Sequence, residues 1–195
     1  MEEEARHARL LAGMRQEGLV DEVTFLGAHL VPAGSEVDEY VEAVVGPMLA
    51  QVREHCGWAD VFCERGAFDE AQSRRVLTAC AEAGLGLRVH GNQLGEGPGV
   101  RLAVELGAAS VDHVNHLDEA DVQALAGSWS GWDRAARTGE PGTVATCLPA
   151  CDLSTRQPLA PGRELLDAGV PIALASNCNP GTSYTTSQNL SLIHI

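Results

Sequence analysis

A chain of 195 residues that is 45% hydrophobic and 21% charged can bury a sizeable core, which excludes an intrinsically disordered protein. Its 13 basic residues face 27 acidic ones, so the clustered Lys and Arg that a nucleic acid or an anionic membrane would demand are not supplied. The expected partner is a small molecule, with no nucleic acid and no membrane. The N-terminus, Met1-Glu2-Glu3-Glu4, is charged, and no apolar run approaches the roughly 18 residues of a membrane span, so the expected location is cytoplasmic. Six cysteines (Cys56, Cys63, Cys80, Cys147, Cys151 and Cys178) form no CxxC pair and read as buried, reduced thiols.

In chain order, the pattern predicts a charged helix over 3–16 and an apolar strand over 23–29. A helix over 37–55 follows, with Val41, Val44, Val45, Met48 and Val52 at three-to-four spacing. A strand over 59–64 leads to a helix over 69–83 that places Ala71, Val76, Leu77 and Cys80 behind an acidic first turn. Strands over 85–91 and 110–114 alternate with helices over 100–106 and 118–126. Residues 127–142 are polar and glycine-rich and read as an inserted surface loop. A strand over 143–149, a helix over 161–168 and a strand over 171–177 complete the pattern.

Strict strand–helix alternation implies right-handed parallel crossovers, and continuous apolar strands imply burial on both faces. The fold class is therefore α/β, either an open sheet or a (β/α) barrel. His29, Glu64, His90, His113 and Asn177 recur at carboxyl ends of successive strands, where barrels build active sites, and this favours the barrel. Six strands leave an eight-stranded barrel incomplete. The five side chains are expected on one mouth.

Chemistry concentrates at these strand ends. His90 and His113 would converge if their strands are neighbours, and neutral imidazole is a common ligand of zinc or iron(II). The turn Asn177-Cys178-Asn179-Pro180-Gly181-Thr182-Ser183 offers amides, hydroxyls and close backbone approach to a polar ligand; ordinary turn chemistry explains it equally. His29 and Glu64 read as either direct contacts or supporting hydrogen bonders. Gly95-Glu96-Gly97-Pro98-Gly99 lacks the Lys of a phosphate loop, Arg74-Arg75 reads as a solvated helix face, and no GxSxG elbow occurs. Cys147 and Cys151 have no fixed histidine partner for a nucleophilic role.

Taken in order and spacing, Phe25-Leu26-Gly27-Ala28-His29, Asp60-Val61-Phe62-Cys63-Glu64, Gln72-Ser73-Arg74-Arg75, His90-Gly91-Asn92-Gln93, Asp112-His113 and Asn179-Pro180-Gly181 resemble imidazolonepropionases of the amidohydrolase superfamily. The resemblance runs from about residue 24 to 187. It implies a TIM-like (β/α) barrel of the metal-dependent hydrolase type, incomplete, with about six of eight strands present. It also implies metal-assisted opening of the ring of 4-imidazolone-5-propanoate to N-formimino-L-glutamate in histidine degradation, with one divalent zinc or iron and room for a homodimer.

Position by position, the resemblance implies that His90 is a metal ligand and His29 a substrate contact. Gln93 falls where a Glu or Gln touches the imidazolone ring, and His113 near the metal-bound water. Asn179, Gly181 and Thr182 fall on the loop that holds substrate or product. Asn177 stands where the family usually has a metal-binding Asp that also takes a proton, so Gln93, His113 and Asn177 form the catalytic set and His90 and Asn177 the metal set.

Three departures accompany the match. The family's first-strand His-x-His pair has no counterpart, nor have an upstream Arg and Tyr that hold substrate, and Asn177 replaces the usual Asp. Residues 1–187 then form a partial barrel domain covering strands three to eight. Residues 188–195 do not resemble the family's next helix and read as a product of truncation or frame shift. The competing readings are a non-catalytic fragment and a related amidohydrolase acting on another cyclic amide. Unpaired edges at 23–29 and 171–177 predict association, and the short ligand count predicts weak metal retention.

Overall fold

The computed structural model describes residues 2–179, so the expectations placed on Gly181, Thr182 and the 188–195 tail lie outside the described residues. Among the described residues the six longer strands follow one another in chain order, and the chain divides into two compact units at Val89/His90.

In the first unit, α1 (Glu2–Gln16) opens on Glu2, Glu3 and Glu4 and ends on Arg15, the charge order that complements the helix dipole. Strand β1 (Thr24–Ala28) pairs in parallel with β2 (Trp58–Cys63), Thr24 opposite Trp58, with a register shift between Phe25 and Ala28. The helix expected over 37–55 is interrupted. Helix α2 (Val37–Ala43) passes through a π-helical turn, Val44–Met48, into α3 (Leu49–Val52). Pro47 lies within that turn and has no N–H to give a regular α-ladder, so the wider turn accommodates it. The buried stripe consequently becomes Val41, Val44, Met48, Leu49 and Val52, and Val45 is only half-buried.

Helix α4 (Glu70–Glu82) starts at a capping box. The Gln72 amide donates to Asp69 Oδ1 at 2.8 Å and the Asp69 amide to Gln72 Oε1 at 3.1 Å. Its buried face, Ser73, Val76, Leu77 and Cys80, is the predicted stripe with Ser73 in place of Ala71. Strand β3 (Gly86–Gly91) carries the chain from the first unit into the second.

The second unit contains α5 (Gly99–Glu105), β4 (Ser110–His113) and α6 (Glu119–Ser128), the last capped by Asp118. Strand β4 pairs in parallel with β7 (Val144–Cys147), and β7 with β8 (Ile172–Leu174). Residues 127–142 are more than a loop: a short antiparallel ribbon joins β5 (Trp132–Asp133) to β6 (Thr138–Gly139). The strand expected over 143–149 stops at Cys147 because Pro149 occupies the first turn of a further helix, α7 (Pro149–Thr155), which the apolar pattern had absorbed into the strand. Helix α8 (Gly162–Asp167) then leads into β8.

Val61, Val89, Val111 and Ala145 are fully buried at the centres of their strands, and Leu102, Leu125 and Leu165 pack from helices of the second unit. This is the α/β architecture of an incomplete TIM-like barrel. All six cysteines are free thiols; five are buried as expected, and Cys178 is exposed. Among the described residues no helix is long and apolar enough to cross a membrane.

Candidate active site

In the first unit the functional side chains sit at and beyond the carboxyl end of β1 and along β2. His29 follows β1, and its Nε2 lies 3.2 Å from Oδ1 of Asp60, a buried carboxylate on β2. The His29 ring stacks on Phe62 at a centroid separation of 6.2 Å, which with Asp60 fixes its plane. Glu64, directly after β2, is buried.

In the second unit His90 on β3 and His113 at the end of β4 come together as expected, their ring centroids 5.1 Å apart in an edge-to-face arrangement. Asp112 presents Oδ2 3.7 Å from Nδ1 of His90. That spacing exceeds a hydrogen bond. His113 is 1% exposed and left-handed at φ 82°, and the next residue, Val114, is left-handed at φ 50°. A β-branched residue in that region is a steric outlier costing on the order of 1–3 kcal/mol, the kind of local strain that clusters at ligand-binding sites. Gln93, two residues beyond β3, is buried.

Beyond β8, Asn177 is left-handed at φ 48° and its Nδ2 donates to Cys151 Sγ at 3.2 Å, while Asn179 Nδ2 donates to the Asn177 carbonyl at 2.8 Å. These bonds make the start of the turn self-bracing, which suits either a ligand loop or a plain turn. Burial pushes the Cys147 thiol up to about 11, so it is protonated at neutral pH and not a nucleophile.

Sequence reasoning named His29, His90, Gln93, His113, Asn177 and Asn179 but overlooked Asp60 and Asp112, the carboxylates beside the His29 and His90 rings. Their signal was present, because a charged residue inside an otherwise apolar strand is expensive to bury without a partner. Imidazole nitrogen and carboxylate oxygen, the donors offered by His29 with Asp60, are of a kind suited to a borderline divalent ion.

The fold is shared with enzymes of the amidohydrolase superfamily. A guanine deaminase from C. acetobutylicum, solved with guanine bound, superposes with a TM-score of 0.62 at 8% identity over 93% of this chain and 45% of its own. An adenosine deaminase from Xanthomonas campestris, solved with bound Zn, gives a TM-score of 0.56 at 16% identity over 90% of this chain and 41% of its own. These show a common fold. No family model matches the chain. The resemblance to imidazolonepropionases is nonetheless shown directly: the curated enzyme of Micrococcus luteus is 72% identical over 192 residues, covering 98% of this chain and 48% of its own. That of Arthrobacter sp. strain FB24 is 74% identical over 187 residues, 96% and 45% of the two chains. The chain spans about half the length of the curated relatives it matches.

Proposed function

We propose that this chain forms part of an imidazolonepropionase-type hydrolase acting on the cyclic amide C–N bond of 4-imidazolone-5-propanoate, yielding N-formimino-L-glutamate in histidine degradation. The observation that carries the reading is the identity of 72% over 192 residues. The paired imidazoles His90 and His113 at neighbouring strand ends support it. The expected location is the cytoplasm and the partner a small molecule, with room for a homodimer.

His90 would hold the metal, with zinc or iron the ion, and Asn177 would contribute through its carboxamide oxygen. A divalent ion bound there supplies Lewis acidity, lowering the pKa of water and polarising the ring carbonyl. His113 moves the proton between water and the departing ring nitrogen, a role suited to an imidazole held in one orientation by its neighbours. Gln93 hydrogen-bonds the imidazolone ring and His29 the substrate, with Asn179, Gly181 and Thr182 gripping its other end. Asn177 cannot take a proton as an Asp would, so proton transfer falls on His113.

The test is a ring-opening assay on protein supplied with zinc or iron(II). Turnover of 4-imidazolone-5-propanoate that outpaces hydantoin or dihydropyrimidine hydrolysis supports the reading, and preference for one of those rings overturns it.

A further inference from the structure

Asn92 lies between two residues of the candidate site, His90 and Gln93, yet its own side chain reaches away from them. It is completely buried and left-handed at φ 56°. Its Nδ2 donates to the His116 carbonyl at 2.9 Å and to Asp121 Oδ2 at 3.1 Å. Its Oδ1 accepts from the Val100 amide at 3.4 Å, in the first turn of α5. The His116 amide returns a bond to the Asn92 carbonyl at 3.0 Å. One carboxamide therefore joins the loop after β3, the loop after β4, the first turn of α5 and the first turn of α6.

Each part of this arrangement narrows the choice of side chain. Asn tolerates a left-handed backbone better than other non-glycine residues. Its carboxamide supplies two donors and an acceptor at one point, which Asp, Ser or Gly does not. Asp121 is held in place by the same network: its Oδ2 accepts from the Asp118 amide at 3.2 Å, and Arg101 lies 3.2 Å from its Oδ1. A second strand-end bond, from the Val114 amide to the Gly91 carbonyl at 3.3 Å, runs beside it. The strained His113–Val114 backbone and the chain at His90–Gln93 are thus tied to one another through Asn92 and its neighbour Gly91.

We propose that Asn92 is a positioning residue, whose carboxamide fixes the Gln93 backbone relative to the His113 loop so that the two side chains keep one mutual geometry. The kinetic half of this inference rests on the hydrolase reading above. A misplacement of about 1 Å in such a pair costs about 10²-fold in rate.

The experiment compares the chain with its Asn92→Gly variant, which keeps the left-handed backbone and removes the carboxamide, and with Asp121→Asn, which perturbs the acceptor and serves if the first variant fails to fold. Three quantities are read: kcat and KM for ring opening, the thermal midpoint, and the NMR signals of the Gln93 side-chain amide and the His113 ring. The expected result is a kcat lowered about 10²-fold in Asn92→Gly and about tenfold in Asp121→Asn, with KM within about threefold. Gln93 and His113 signals should be displaced or broadened together. A kcat within twofold of the parent, or a loss that merely follows the thermal midpoint, overturns the proposal. If the parent chain, which spans about half the length of its relatives, shows no turnover, the NMR signals alone decide the inference: joint displacement upholds it, and unmoved signals overturn it.

Discussion

The His90 and His113 rings meet edge to face at a centroid separation of 5.1 Å, one from the end of β3 and the other from the end of β4. In the proposed function the first would bind a metal and the second would exchange protons. His113→Gln retains a polar side chain of similar reach but cannot relay a proton at neutral pH. We expect ring opening to fall by about 10²–10⁴-fold. An unchanged rate would remove His113 from the chemistry.

Asn177 tests the metal side of the same reading. A carboxylate binds a divalent cation more strongly than a carboxamide and can also accept a proton. Asn177→Asp is expected to increase the metal retained after dialysis and to raise ring-opening activity by about 10²–10⁴-fold. Elemental analysis and turnover measured on the same preparation separate the two effects, and no gain in either would show that this position is not part of the metal set.

Gly91 is required by close approach. A Cβ built there would lie 2.9 Å from the Cα of Gly99, a backbone atom at the start of α5 that has no side chain to swing aside. Gly91→Ala should destabilise the fold by about 1–3 kcal/mol, the usual cost of overpacking. Urea unfolding monitored by circular dichroism gives the value directly.

Asp152 provides a pH signature. Burial raises its carboxyl above the ordinary range, while contacts with Asn115 and the Ala160 backbone oppose the shift. A carboxyl with a folded pKa above its unfolded value binds more protons in the folded state. Its contribution is therefore most favourable below the unfolded pKa, near 3.9, and is lost as pH rises through the folded pKa. Asp152→Asn should be more stable than the parent at pH 7, with the advantage shrinking towards pH 4. Urea midpoints across that interval check the sign; an advantage that grows on acidification contradicts it.

Strand β1 ends the strand order and exposes Leu26 at 46%. An apolar edge strand is a template for pairing with another chain. The protein should self-associate with rising concentration, and Leu26→Lys should shift it towards the monomer in size-exclusion chromatography with light scattering. Equal elution of both forms at all concentrations would place any association elsewhere.

The alternation of apolar strands and amphipathic helices was legible because burial on both faces of a parallel strand forces a continuous apolar run, and the strand-end imidazoles stood out against it. Boundaries at proline were less legible. Pro149 begins α7 and Pro47 sits in a π-helical turn, and hydrophobic periodicity alone does not distinguish a helix start from a strand end. Asp60 and Asp112 were visible as charges inside strands, but which ring each would lie beside depends on pairing between distant segments. By itself the sequence determined the α/β class, the residues with useful chemistry and the kinship with imidazolonepropionases, since these follow from local pattern and from motif order. Only the tertiary structure decided that Asp60 faces His29, that the His90 and His113 rings meet, and that Asn92 ties two loops together. Each of these is a contact across the chain, set by strand pairing, side-chain packing and the demand that buried polar groups find partners.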